Sequence, residues 1–169
     1  ITAINGGWLY FDAKTGSEEL YDSGGKLISI SFMSGGVLNF TYGTGTDPAV
    51  SGLLKQVQDQ FGRSLQFTYE QPTDLNIRPH VKTMIDSAGR ETAFDYDAAG
   101  NLKQITWPDQ TTRQFLYELT NLPWALTGII DEKSIRSHTI GYDGYGRANF
   151  TSAAGGVDQY RVTWGVPPS

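Results

Sequence analysis

Carboxylates offer the first candidate chemistry in this 169-residue chain, because five aspartates open the same phrase, Asp-x-x-Gly. The phrase occurs at Asp22–Gly25, Asp59–Gly62, Asp86–Gly89, Asp97–Gly100 and Asp143–Gly146. Repeated carboxylates raise the hypothesis of calcium, but a calcium loop needs Asp at alternating positions and a distal Glu. The sequence has no such loop. Asp at the first position and Gly at the fourth are preferences of a type I β-turn, so turns are the favoured interpretation.

Other catalytic groups are sparse and scattered. Two carboxylate pairs are close in sequence, Glu18-Glu19 and Asp95/Asp97, and an acid–base pair needs a pocket that separates their pKa values. The histidines are His80 and His138, and there is no cysteine. The chain has neither a Gly-x-Ser-x-Gly elbow nor a glycine-rich phosphate loop. We therefore expect no enzymatic activity, no metal site and no cofactor.

Aromatic residues are the remaining candidates for binding. The tyrosines could stack on sugar rings, but their regular placement beside turns favours cross-strand packing. The tryptophans Trp8, Trp107, Trp124 and Trp164 are better candidates for exposed stacking. Trp124 lies in a proline-containing connection and is the one weak candidate for a glycan-binding residue.

Composition narrows the class of partner. The net charge is −5 without a cluster of Lys and Arg, so nucleic acid is an unlikely partner. No apolar run reaches the length of a membrane span. Only 38% of residues are hydrophobic although 12% are aromatic, and 20 are glycine. These proportions are typical of a thin β-sheet with many turns rather than a thick core.

The elements that carry these residues repeat along the chain. An apolar residue, a spacer and an aromatic residue recur at intervals of 21 to 27 residues, as Phe40/Tyr42, Phe67/Tyr69, Phe94/Tyr96, Phe115/Tyr117, Ile140/Tyr142 and Val162/Trp164. Such a period is typical of repeat architectures. Between turn signals lie segments with period-two alternation, which are typical of half-buried strands.

The pattern predicts an all-β fold, an antiparallel meander of about 13 or 14 short strands over residues 1–169 as a single region. Longer connections are predicted at Gly43–Gly52, Glu70–Pro79 and Glu118–Trp124. A compact β-sandwich has the same strand spacing and stays open as an alternative. The repeat favours a curved or spiralling sheet.

These residues resemble the Rhs/YD-repeat family, whose hallmark is Tyr-Asp, two residues, Gly, one residue and Leu. Residues 21–27 and 96–102 match throughout, and residues 142–148 match except at Ala148. Tyr69-Glu70 and Tyr117-Glu118 keep the aromatic residue and the acid before a long connection. The structural repeat therefore consists of Tyr21, Asp22, Gly25, Asp59, Gly62, Tyr69, Asp86, Gly89, Tyr96, Asp97, Gly100, Tyr117, Tyr142, Asp143 and Gly146.

The resemblance implies a non-catalytic wall segment of a β-sheet shell that encloses a C-terminal toxin or other cargo. It also implies a secreted or cell-surface bacterial protein whose partners are flanking repeats and the cargo. The family's processing segment carries an Asp-Pro-x-x-Gly-like motif, and Asp47-Pro48 lacks that context. We expect a fragment of a larger protein that self-associates when isolated. The alternative hypothesis is a secreted or cell-surface carbohydrate-binding or adhesion module.

Overall fold

The computed structural model describes residues 1–44, 51–72 and 77–165. These residues form fifteen strands in one open antiparallel sheet, and the strand order follows the chain from first to last. The prediction of an all-β antiparallel meander is confirmed. The strand number exceeds the predicted 13 or 14, since very short strands such as Thr2–Ile4 and Tyr160–Arg161 carry no alternation that a sequence pattern reveals.

The fold divides into two compact units, residues 1–91 and 92–169. The strands of the first unit are β1 (Thr2–Ile4), β2 (Gly7–Asp12), β3 (Ser17–Asp22), β4 (Leu27–Ser31), β5 (Val37–Tyr42), β6 (Leu54–Asp59), β7 (Ser64–Glu70) and β8 (His80–Asp86). The next strand, β9 (Glu91–Tyr96), begins at the boundary. The second unit continues with β10 (Leu102–Thr106), β11 (Thr112–Leu116), β12 (Gly128–Ile130), β13 (Arg136–Tyr142), β14 (Ala148–Ala153) and β15 (Tyr160–Arg161).

Within residues 1–44, 51–72 and 77–165, helical structure is confined to one short 3-10 turn, Ala154–Gly156. The described ranges contain no helix with the length and hydropathy needed to cross a bilayer. The three long connections fall between β5 and β6, between β7 and β8, and between β11 and β12. Asp47-Pro48 lies outside the described residues.

Register explains the Tyr-Asp-x-x-Gly-x-Leu phrase. Its first residue lies at or next to the end of one strand and its last begins the next strand, and the two are Cα partners: Tyr21 with Leu27, and Tyr96 with Leu102. Tyr142 pairs in the same way with Ala148. A register shift lies next to each pair, as in a hairpin whose type I turn is followed by a glycine bulge. The phrase therefore encodes one hairpin end.

The sheet has almost no core of its own. Among the described residues the only buried hydrophobic side chain is Ala125, and no large side chain is fully buried. In the part of the chain that the structure describes, seventeen large hydrophobic residues are exposed, including Trp8, Phe61 and Trp124. A single layer of strands leaves both faces open, because a sheet buries a face only against another layer.

Candidate functional surface

The Asp-x-x-Gly segments lie where successive strands meet, and all five close in the same way. The glycine N–H donates to the aspartate carbonyl at 2.9–3.1 Å. Each glycine has a φ of 76–84°, a left-handed conformation that glycine adopts without steric cost. A sixth turn, Asp131–Ser134, forms the same hydrogen bond at 2.9 Å, with Ser134 at a φ of 60°. We call these six segments the corner turns.

The aspartate side chain completes each corner turn. In all six, one carboxylate oxygen accepts hydrogen bonds from the backbone N–H groups two and four residues later, at 2.8–3.0 Å. In four of them the second oxygen also accepts a bond, from Arg63, Arg90, Asn101 or Arg147. Because these carboxylates point back into their own turns, their role is structural.

Protonation is disfavoured in the folded chain for the aspartates of four corner turns, those whose second carboxylate oxygen also accepts a bond. The hydrogen bond from the Arg90 side chain, followed by the bond from the Arg90 backbone N–H, lowers the pKa of Asp86. For Asp59, Asp97 and Asp143 burial raises the pKa, but hydrogen bonds within the turn outweigh it and the net pKa is lowered. These four corner turns therefore hold their aspartates as anions.

A second repeated contact begins at an aromatic residue that lies at the end of a strand or within three residues of it. The hydroxyl of Tyr42 donates to the carbonyl of Leu27 at 2.9 Å, and the hydroxyl of Tyr69 donates to that of Leu54 at 2.7 Å. The corresponding bonds join Tyr117 to Leu102 at 3.1 Å, Tyr142 to Leu126 at 2.9 Å and the Trp164 indole N–H to Ala148 at 2.9 Å. We call these five residues the aromatic anchors.

Each aromatic anchor joins the end of a hairpin's second strand to the start of its first strand. Each hydroxyl or indole reaches a carbonyl 15 or 16 residues earlier, beside the start of the preceding strand. Burial raises the pKa of the Tyr42, Tyr69 and Tyr117 hydroxyls, which keeps them protonated as donors. The sequence interpretation assigned these tyrosines to packing and missed the bond. The available signal was the 15-residue spacing from Leu to Tyr, which Tyr42, Tyr69 and Tyr117 share.

Tyr21 differs from the aromatic anchors. It lies one residue before the end of β3, and its hydroxyl donates to the Glu19 carboxylate two residues earlier. Hydrogen bonding to Glu19, and secondarily burial, raises the pKa of Tyr21. Tyr96 ends β9 and is half-buried.

The predicted catalytic candidates are not brought together. Glu18 and Glu19 are neighbours in β3, so they project to opposite faces. Asp97 belongs to a corner turn. His138 lies in β13 with Nδ1 3.1 Å from the Ser137 hydroxyl, whereas His80 begins β8. Within the described ranges no group of three His, Asp or Glu side chains is placed to hold a metal ion.

Trp124 stands on a connection that other residues fix. Its side chain is 60% exposed, while the adjacent Ala125 is 1% exposed. The Asn101 side-chain amide donates to the Pro123 carbonyl at 2.9 Å, and the Ala125 N–H donates to the Leu122 carbonyl at 2.9 Å. The structure thus presents the Trp124 ring to solvent from an ordered backbone.

The other tryptophans are less available for stacking, apart from Trp8. The Trp107 indole donates to Glu132 at 3.0 Å, and Trp164 is an aromatic anchor. Trp8 is 45% exposed and lies on β2.

The concave regions of the first unit include three of appreciable volume. The largest, about 530 Å³, lies beside two corner turns and has Arg63 and Arg90 at its rim. A second, about 410 Å³, is lined by Tyr42, Phe67 and Tyr69 among others. A third, about 350 Å³, is lined by Ile1, Trp8, Tyr10, Tyr21 and Gly25. All three are open grooves against sheet rather than enclosed active-site pockets.

Comparison of the sequence with protein-family models and with curated proteins gives no match. The likeness to the Rhs/YD-repeat family therefore rests on the motifs and on the hairpin end that they encode.

Proposed function

We propose that this chain is a non-catalytic wall segment of an Rhs/YD-repeat-like shell that encloses a C-terminal toxin or other cargo. The observation that carries the proposal is the repeated hairpin, closed by a corner turn or an aromatic anchor, in a sheet that buries almost no apolar side chain of its own. Such a sheet gains stability from neighbouring repeats and from material against its faces.

Hydrogen bonds within each hairpin are suited to the wall of a shell. Bonds such as Tyr69 to Leu54 and Tyr117 to Leu102 stay within one hairpin, so each unit of the repeat keeps its register without a folded core. Flanking repeats would cover the outer strands, which otherwise offer unpaired backbone groups to other chains. Under this proposal the parent protein is secreted or displayed at the bacterial cell surface.

The reading frame on either side of Ile1 and Ser169 tests the proposal directly. We expect further Tyr-Asp-x-x-Gly phrases at the same spacing, followed by an unrelated C-terminal domain. Expression of that whole protein should then give a C-terminal domain that resists protease until the shell is opened. Flanking sequence without the repeat would overturn the proposal, as would a cargo domain that is digested immediately.

The isolated chain offers a second test. Because many apolar side chains are exposed, light scattering should show association and a hydrophobic dye should bind. A compact, strictly monomeric particle that binds no dye would count against a wall segment.

A carbohydrate-binding or adhesion module is the second candidate, favoured by the exposed Trp124 ring on its fixed backbone. Tryptophan fluorescence against a glycan panel tests it. Saturable quenching by one glycan, abolished in Trp124→Ala and retained in Trp107→Phe, would support this function over enclosure. If no glycan of the panel gives saturable quenching, the carbohydrate-binding function is rejected.

A further inference from the structure

One face of the β2–β3 hairpin brings together three aromatic rings and a carboxylate. Trp8 is the Cα partner of Tyr21, and Tyr10 is the partner of Glu19. Trp8 and Tyr10 are two residues apart, as are Glu19 and Tyr21, so all four project from the same face. Cβ atoms of directly opposed residues lie about 4.5–5.5 Å apart, and those two residues apart on a strand lie about 7 Å apart. The four side chains form a compact square.

The square borders a cavity. Trp8, Tyr10 and Tyr21 line a concavity of about 350 Å³, to which Ile1 and Gly25 also contribute. Trp8 is 45% and Tyr10 36% exposed, so their rings are accessible to a ligand. The hydroxyl of Tyr21 donates to Glu19, which fixes the carboxylate at the edge of the aromatic group.

Other aromatic rings of the chain already carry a cation. Lys26 lies over Tyr42 with its ammonium 5.2 Å from the ring centroid, and Arg161 lies over Phe150 at 4.4 Å. Among the described residues no Lys or Arg lies over Trp8, Tyr10 or Tyr21 in this way. Their faces are left for a cation from outside, and a ring face attracts cations through its quadrupole.

We propose that the cavity bounded by Trp8, Tyr10 and Tyr21 binds a quaternary ammonium group of the choline type, with Glu19 supplying the counter-charge. A trimethylammonium group needs rings and negative charge but no hydrogen-bond partner. A sugar needs several donors and acceptors around its hydroxyls, whereas the cavity is lined by rings and aliphatic surface, and Glu19 is already bonded to Tyr21. The net charge of −5 also favours a cationic ligand.

Calorimetric titration with choline chloride at low ionic strength tests the site, with 3,3-dimethylbutanol as the neutral ligand of the same shape. We expect saturable binding of choline and about tenfold weaker binding of the neutral ligand, since only the charge differs. Equal binding of the two ligands, or no saturable binding of choline, would overturn the proposal.

Variants locate the site. Trp8→Leu should weaken choline binding about tenfold, whereas Trp124→Leu, an exposed tryptophan elsewhere, should leave it unchanged. Glu19→Gln keeps an acceptor for Tyr21 and should weaken choline binding several-fold while leaving dimethylbutanol binding unaltered. Circular dichroism checks that each variant folds. Unchanged affinity in folded Trp8→Leu and Glu19→Gln would place binding elsewhere and overturn the assignment.

A vesicle assay separates the two sources of the ligand. Cosedimentation with phosphatidylcholine vesicles, but not with phosphatidylglycerol vesicles, would assign the group to a lipid headgroup. Binding of free choline without vesicle binding would assign it to a small molecule.

Discussion

Two connections between strands of the second unit are held in place by different kinds of hydrogen bond. The corner turn at 143–147 is held by its own residues: the Gly146 N–H bonds the Asp143 carbonyl at 3.0 Å, and the Asp143 carboxylate accepts bonds from Tyr145 and from the Arg147 backbone and side chain. All these partners lie within four residues of Asp143. A turn of this kind can form wherever its five residues occur together.

The connection at 117–127 is held by residues from other elements. Arg136 of β13 donates to both oxygens of Glu118, at 3.0 and 2.7 Å, and to the Thr127 carbonyl at 3.0 Å. Asn101, from a different corner turn, holds the Pro123 carbonyl. The buried residues Ala125 and Thr127 lie in this connection. The difference shows that the conformation of a short turn is specified by its own residues, whereas the conformation of a long connection is specified by residues of the neighbouring strands and turns.

Acidification should have the largest effect, because it acts on many corner turns at once. Hydrogen bonds from Arg90 lower the pKa of Asp86. For Asp97 burial raises the pKa, but the hydrogen bonds from Asn101 and Ala99 outweigh it and the net pKa is lowered. A carboxyl group with a lowered pKa in the folded state binds fewer protons folded than unfolded. Its stabilisation is therefore present above about pH 4 and is lost as the pH falls through the native pKa.

Thermal unfolding followed by circular dichroism from about pH 7 to pH 2 measures this effect. We expect the contribution of these aspartates to the unfolding midpoint temperature to be constant above about pH 5. Below about pH 4 the midpoint temperature should fall steeply. Asp86→Asn should make the midpoint temperature fall less steeply with decreasing pH, because the variant lacks the titrating carboxyl group of one corner turn. The same midpoint at both ends of this range would contradict the corner-turn account.

Gly146→Ala tests whether the 117–127 connection packs against the corner turn at 143–147. Gly146 and Gly89 share a φ of 76°, but an added Cβ would lie 3.2 Å from the Leu122 side chain only at Gly146. We expect Gly146→Ala to cost about 2 kcal/mol and the matched Gly89→Ala about 1 kcal/mol in free energy of unfolding. Urea unfolding of both variants measures the difference. Equal losses would show that the connection does not constrain the corner.

Arg136→Met should loosen the long connection selectively. The guanidinium bonds Glu118, Thr127 and Thr139. Its loss leaves the Glu118 carboxylate with the bond from the Thr127 hydroxyl and the Thr127 carbonyl with the bond from the Ile140 N–H, and removes the links to β13 that Arg136 supplies. We expect a loss of about 1–2 kcal/mol in unfolding free energy and faster amide exchange at residues 117–127. Arg63→Met is the control, because the Arg63 side chain is 76% exposed and bonds Asp59 within its own corner turn, so amide exchange at residues 117–127 should stay unchanged. Unaltered exchange in 117–127 would contradict a fixing role for Arg136.

Tyr117→Phe removes one aromatic anchor and nothing else. The Leu102 carbonyl then loses the hydroxyl bond of 3.1 Å, and we expect a loss of about 1 kcal/mol in free energy of unfolding. Tyr145→Phe is the control, because Tyr145 is 69% exposed and should be unaffected. If chemical denaturation finds the two variants equally stable, the anchor bond contributes nothing.

Ser134→Gly should produce the smallest change, and in the favourable direction. Ser134 adopts a φ of 60°, a conformation that glycine accepts more readily. We expect a gain of about 0.5 kcal/mol from relieved strain. Lys133→Gly, one residue earlier and outside the left-handed region, should instead destabilise. A gain in both variants, measured by thermal unfolding, would rule out strain at Ser134 as the cause.

Much of the fold is readable from particular residues. Alternation in Ser64–Glu70 predicts a strand, and Asp-x-x-Gly predicts its neighbouring turns, because each signal acts over a few residues. The segment Asp131–Ser134 shows the same logic, since it keeps the turn without its glycine. The Glu19–Tyr21 contact and the square around Trp8 were not predicted. They depend on which residues of two strands become partners, and register is set by the whole hairpin.

By itself, the sequence determined the strands, the corner turns and the absence of a thick core, because periodicity, turn preference and composition are properties of short segments. Only the tertiary structure decided that Tyr69 bonds the Leu54 carbonyl, that Arg136 holds the 117–127 connection, and that Trp8, Tyr10 and Tyr21 share a cavity. These contacts join residues from different strands, so they exist only after antiparallel pairing has placed those strands side by side.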